Sequence, residues 1–327
     1  MNPSAEIIAV PGSRCSASGT PAVATAGIFV CRHTSGSPGN PATHSVGAPA
    51  GGEPFGTEWS PAALRSFGII ERLGAYDAGD VDVRITGPAR DPLTGLVGGA
   101  TVAPAVAAIR RATADVLASG ARPLLLGGCC TLLMGAFPAA VDALGPVGLA
   151  YADGHYDVYD HRTSPTGEAA DMPIGVLLGF GESGLLAASG PEPALTVGRL
   201  RVLGARDREE WADVSELVTS LGIENIGPDE IALGPAAAGA RTADALHANG
   251  FWLSLDLDVV DQDDFPATDY LMPDGISLDE LHDLLLPLGR DDAVIGASVA
   301  CYNPTKDPGG VLGGRLVDLL VDVLGRC

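Results

Sequence analysis

The sequence predicts an α/β protein, a doubly wound and mainly parallel sheet covered by helices on both faces. Three observations carry this expectation. Apolar runs of strand length alternate with segments of helical periodicity along most of the chain. Runs such as Pro123-Leu-Leu-Leu126 and Phe251-Trp-Leu-Ser-Leu255 are apolar almost throughout, which is the pattern of strands buried on both faces. No linker or internal repeat divides the 327 residues, so a single domain spanning 1–327 is expected.

In chain order, Glu6-Ile-Ile-Ala-Val-Pro11 reads as a first short strand. Residues 12–57 are rich in Gly, Ser, Pro, Ala and Thr, interrupted by the apolar run 27–31. They predict a long surface loop or insertion with one embedded strand, in which His33 and His44 are solvated. At 60–73, Ser60 as a cap and Pro61 at the first helical position open a helix. Alternation at 81–85 predicts a strand, 102–120 an amphipathic helix and 122–126 a buried strand. Strands at 147–152, 200–203, 251–257 and 293–299 then alternate with helices at 173–188, 206–221, 278–286 and 315–324.

Composition narrows the function. A formal charge of −22 argues against nucleic acid, whose phosphates need a basic face. It is compatible with a cationic small-molecule substrate. Six irregularly spaced cysteines are too few for a disulfide scaffold. The start has neither a basic n-region nor a long apolar core, and no run is long enough to span a membrane. A cytoplasmic protein with reduced thiols is expected.

Ligands of open α/β sheets bind beyond the carboxyl ends of the strands, and three strand ends carry unusual residues. In Asp153-Gly-His-Tyr-Asp157, the residues Asp153, His155 and Asp157 fall in phase for an extended segment. In Ser254-Leu-Asp-Leu-Asp258, Asp256 and Asp258 do the same. Buried together without a cation, such groups cost several kcal/mol, about the penalty of unpaired buried charge. The third strand end is Gly127-Gly-Cys-Cys-Thr131. Alone its cysteines read as core filler; beside the acids a thiolate ligand from this pair becomes credible. Four carboxylates and an imidazole suit two Mn²⁺ ions, and a thiolate shifts the preference toward Zn²⁺ or Fe²⁺. Two such ions about 3.5–4 Å apart lower the pKa of a shared water.

These three motifs, in this order, resemble the GGDHS, DAHxD and SxDxD motifs of the ureohydrolases, the arginase, agmatinase and formimidoylglutamase group. Ser60-Pro-Ala-Ala-Leu-Arg-Ser-Phe-Gly68 is similar to the family's GPxxLRxxG segment. The resemblance runs from about residue 60 to the C-terminus. It implies a three-layer α/β/α sandwich of arginase-like fold, a binuclear Mn²⁺ centre, and hydrolysis of a C–N bond in a guanidino or amidine compound by a metal-bridging hydroxide. It also implies homo-oligomers, trimers or hexamers. By motif position Asp153 and Asp256 would bridge the metals, Asp157 would complete one shell, and His155 with Asp258 the other.

The departures are as informative. Cys130 stands where the family supplies a ligand histidine, and Cys129 replaces the neighbouring acid. The arginase proton-shuttle histidine falls on Ala170; Glu168, Asp171 and, upstream, His161 are the groups on offer nearby. Cys301 stands where arginases carry a guanidinium-pairing Glu before Asn-Pro. The alternative reading is a catalytically silent relative that keeps the fold as a metal-binding or assembly module. A dinucleotide enzyme is disfavoured, because no GxGxxG follows the first strand.

Overall fold

The computed structural model describes residues 6–10, 27–31, 56–81, 83, 85, 89–207 and 212–325. The expected loop or insertion at 12–57, with His33 and His44, lies outside these residues except for 27–31 and its last two positions.

Strands β1 (Glu6–Val10) and β2 (Gly27–Cys31) precede helices α1 (Ser60–Ser66) and α2 (Ile69–Leu73). The helix expected at 60–73 is broken because Gly68 adopts φ 78°, a left-handed turn that glycine accepts without a Cβ clash. Its first residue is Ser60 itself, with no side-chain cap and Pro61 in the first turn. Strand β3 is Tyr76–Asp80 rather than 81–85; Val83 and Ile85 are buried but not in a strand, and residues 82 and 84 are outside the description. There the apolar alternation reflects burial of Val83 and Ile85 in the core.

Helix α3 (Gly99–Ala118), β4 (Arg122–Gly127) and β5 (Gly148–Ala152) follow close to expectation, with helix α4 (Leu133–Leu144) between the two strands. The helix read at 173–188 is two, α5 (Pro173–Leu177) and α6 (Ser183–Ser189), parted at Gly179 with φ 95°. Then come β6 (Leu200–Leu203), α7 (Ala212–Leu221), β7 (Asn225–Ile226), α8 (Pro228–Ala232) and α9 (Pro235–Leu246). The sequence reading passed over β7, α8 and α9. Two residues make no periodic signal, and the small residues of Pro235-Ala-Ala-Ala-Gly-Ala240 blur the apolar stripe of α9. The chain closes with β8 (Phe251–Asp256), α10 (Leu278–Arg290), β9 (Val294–Ala300) and α11 (Val311–Leu324). Ser277 and Glu280 form a reciprocal capping box that fixes the start of α10.

The strand order is β3-β1-β4-β9-β8-β5-β6-β7, with β2 also on β4. All pairings from β4 through β7 are parallel; β1 runs antiparallel to β3 and β4. Helices α3 to α6 pack together as one layer, and α1, α2 and α8 to α11 as the other, which completes the three-layer α/β/α sandwich. Strands β5 and β8 are buried at every residue. Their core includes a satisfied polar chain: Trp252 Nε1 donates to Ser298 Oγ, which donates to Ser254 Oγ, each at 3.1 Å. No described helix is long and apolar enough to cross a membrane.

The fold's tightest helix contact is testable. A Cβ on Gly239 of α9 would sit 2.0 Å from the Leu284 carbonyl oxygen of α10. Gly239→Ala must therefore push the two helices apart, and denaturant unfolding is expected to show a loss of about 1–3 kcal/mol, the usual cost of overpacking. An unchanged midpoint would mean the helices do not meet here.

Candidate metal centre

Strands β4, β9, β8 and β5 lie side by side and parallel, so their carboxyl ends open on one edge of the sheet. The register pairs Ala152 with Leu255 and Asp256 with Ala300. One step beyond Ala152, Asp153 comes level with Asp256 on the neighbouring strand, about 4.8 Å away between backbones. Both carboxylates are buried, as are Asp157 and Asp258.

Local structure aims these groups inward. Asp153 Oδ1 accepts from the His155 N–H (2.8 Å), and Asp256 Oδ1 from the Asp258 N–H (3.1 Å), so each acid caps the turn that follows it. The Gly154 N–H donates to Asp258 Oδ1 at 2.9 Å, joining the two turns. Asp157 has φ 49°, a left-handed backbone that costs a non-glycine residue about 1–3 kcal/mol. Tyr151 holds it there, its hydroxyl donating to Asp157 Oδ2.

Five of the six expected ligands come together. Ligand atoms of Asp153, His155 and Asp157 lie within 4.8 Å of one another, and so do those of Asp153, Asp256 and Asp258. Asp153 is common to both groups. His155 Nδ1 is also 3.0 Å from Asp258 Oδ2. Cys130 belongs to neither group: its buried thiol donates to the Ala170 carbonyl at 3.2 Å.

The electrostatics are those of a cation site. Burial, then the Asp258 charge, pushes the Asp153 carboxyl up to about 7. Burial followed by the Asp258 and Asp153 charges raises Asp256, and burial followed by Asp153 raises Asp157. Burial also opposes ionisation of Asp258, but His155, the Gly154 N–H and Arg206 outweigh it and hold this carboxyl low. Asp153 Oδ2 and His155 Nε2 are buried without a hydrogen-bond partner. Orphaned acceptors among mutually repelling carboxylates fit one or two divalent cations.

Around this cluster the thiols and the second-line acids differ in state. Cys129 caps the 3-10 turn Cys130–Leu132: its sulfur accepts from the Thr131 N–H (3.4 Å) and its S–H donates to Thr131 Oγ1 (2.9 Å). A hydrogen bond with Cys129, then burial and the Asp157 charge, raises the Cys130 thiol. Cys301 takes φ 67°, donates its N–H to the Gly128 carbonyl at 2.9 Å, and its thiol hydrogen-bonds the Asp256 carboxylate. Burial and the Asp256 charge raise that thiol.

Of the expected catalytic groups, Glu168 stands out. Its Oε1 is buried and without a partner, and burial followed by the Asp171 and Cys129 charges raises it to about 8. Asp171 is committed, accepting from the Ser164 hydroxyl and from Thr166 Oγ1 (2.6 Å). His161 differs again: its carbonyl accepts from Arg90 Nη2, and its Nδ1 is buried without a hydrogen-bond partner. Sequence reasoning missed three neighbours. Arg206 donates to the carbonyls of Asp258 (2.9 Å), Met272 (3.2 Å) and Pro273 (2.8 Å). Asp207 is buried with Oδ1 unpartnered and raised to about 6, chiefly by burial. Tyr270 meets the His155 ring edge-on at 4.3 Å. Arg206 and Asp207 follow the end of β6, so the strand-end rule would have found them; Tyr270 lies in a loop without periodicity.

Fold and site together define an α/β protein of the kind that gathers divalent cations at the ends of its central strands. The chain belongs to the arginase family, whose profile matches residues 50–322. The arginase of Brevibacillus brevis is 26% identical over 295 residues, covering 86% of this chain and 96% of that protein. A crystal structure of arginase from Bacillus subtilis superimposes with a TM-score of 0.72 at 25% identity, covering 91% and 98% of the two chains. Formimidoylglutamase from Bacillus subtilis shares the fold, with a TM-score of 0.64 at 18% identity over 90% of this chain and 86% of that one.

Two outcomes are expected of the site. Asp153→Ala removes the residue common to both groups and should abolish stoichiometric metal by elemental analysis. Retained metal would sink the shared-ligand assignment. The second concerns pH. The folded protein binds a proton on Asp153 up to about 7 that the unfolded chain releases near 3.8. Folded protein thus carries more protons across that window, and without cations its stability falls as pH rises through it. Asp258, held low, acts oppositely and only near and below its ordinary range. Melting in chelator should therefore drop between about pH 5 and 7, and the stabilisation given by added Mn²⁺ should grow over the same range. A flat or rising profile in chelator would contradict this.

Proposed function

We propose that this protein is a metal-dependent hydrolase that cleaves a C–N bond in a small, cationic guanidino or related amidine compound. The observation that carries the reading is the pair of metal-capable groups sharing Asp153 at the strand ends, in a chain that belongs to the arginase family. The relatives are named arginase.

Asp153, His155, Asp157, Asp256 and Asp258 would hold two divalent ions, Mn²⁺ by preference for oxygen-rich ligation. Cys130 would join them only by turning its thiol away from Ala170, and Zn²⁺ or Fe²⁺ would then gain. Bound there, the cations would supply the charge that lowers the pKa of water toward neutrality. The chain's own residues do the rest. Because the acids are buried, bulk water does little to screen their charge. Glu168, raised to about 8, is protonated at neutral pH and holds a proton at its carboxyl for the departing nitrogen, the task for which Ala170 offers no imidazole. Asp171 fixes the Glu168 turn through Ser164 and Thr166. The resemblance further supports a homo-oligomer.

The second reading, a silent relative, draws on two substitutions: Ala170 and Cys301 lack the groups that pair and shuttle in arginases. A screen of guanidino, formimino and N-hydroxyguanidino compounds with the Mn²⁺-loaded protein, following urea or amide release, separates the two. No turnover of any class, with metal bound, would favour the silent protein. With a substrate in hand, Glu168→Gln should lower kcat by about 10²–10⁴-fold, the usual contribution of a positioned acid. The same variant should remove the decline in rate near pH 8 and leave metal content unchanged. Full activity in the variant would dismiss Glu168 as the acid.

A further inference from the structure

The thiols at the ends of β4 and β9 are not used by the hydrolase reading, and the backbone places two of them together. The Cys301 N–H donates to the carbonyl of Gly128, the residue before Cys129, at 2.9 Å. Adding the fixed N–Cα and peptide dimensions, the Cα atoms of Cys129 and Cys301 are roughly 5–7 Å apart, which overlaps the range that a disulfide spans. Both residues are partly exposed, whereas Cys130 is buried and turned to Ala170. The Cys129–Cys130 pair is adjacent in sequence and bridges only with backbone strain.

We propose that Cys129 and Cys301 are a reversible disulfide pair and that closing it weakens the metal centre. Each sulfur has a duty that the bond would end. The Cys301 thiol donates to Asp256, a carboxylate of the second metal-capable group. The Cys129 sulfur caps the turn that carries Cys130. With hydrogen peroxide as oxidant, one sulfur attacks a peroxide oxygen; the O–O bond breaks, an S–O bond forms and water leaves. The second thiol attacks that sulfenic sulfur, forming S–S and expelling hydroxide, which takes up the thiol proton. Two thiols and one peroxide thus give one disulfide and two waters, with two electrons passing from sulfur to oxygen. A dithiol reverses the bond by exchange.

The test uses the full chain treated with hydrogen peroxide, alkylated, digested without reduction and mapped by mass spectrometry. The expected product is a Cys129–Cys301 cross-linked peptide, lost on dithiothreitol treatment, absent from Cys129→Ser and from Cys301→Ser, and kept in Cys130→Ser. In the oxidised wild type, Mn²⁺ affinity should fall about 10–100-fold, the effect of losing a hydrogen-bond partner behind a ligand, and recover on reduction. A bond through Cys130, oxidation of single thiols without a cross-link, or an Mn²⁺ affinity untouched by the cross-link would each overturn the proposal. The cross-link map requires neither substrate nor turnover, so it is independent of the hydrolase reading.

Discussion

The mutual repulsion of carboxylates buried on neighbouring strand ends governs this molecule. Parallel pairing of β5 with β8 sets Asp153 level with Asp256, and burial leaves neither of them water to spread its charge. Charges this close in a poorly polarisable interior cannot all stand unneutralised. The backbone N–H groups of Gly154, His155 and Asp258 relieve part of it, and His155 relieves more. What remains is carried by protons or by cations, and that competition ties the site's occupancy to pH. The rest of the fold serves to hold these strand ends in register.

Much of this was legible in the sequence because it is written in local periodicity. The buried strands 122–127, 148–152, 251–256 and 294–300 are continuous apolar runs, and the in-phase acids at their ends follow from the two-residue repeat of an extended chain. What failed lacked such a signal. A left-handed Gly68 or Gly179 breaks a helix without disturbing its apolar pattern. The stretch 81–85 alternates, yet its described residues 81, 83 and 85 are not in a strand, since pairing depends on a partner strand far away in the chain. Glu168, Asp171 and His161 were equal candidates in sequence; only the tertiary structure separates an unpartnered carboxyl from one held by two hydroxyls, and from a histidine whose backbone carbonyl is tied to Arg90.

The departures from the arginase pattern are also spatially coherent. Cys129, Cys130 and Cys301 converge at the β4 and β9 ends, and the Cys130 thiol reaches the carbonyl of Ala170, the residue in the shuttle position. Glu168, two residues from Ala170, places a buried acid on the same loop.

Arg206 has a wider consequence. Its guanidinium joins the carbonyls of Asp258, Met272 and Pro273, fastening the turn after β8 to the loop that carries Tyr270. These bonds are to backbone oxygens, so they form irrespective of what lies between the carboxylates. The turn that carries Asp258 is therefore held to the Tyr270 loop through backbone oxygens, and its position does not hang on the charge state of the neighbouring carboxylates.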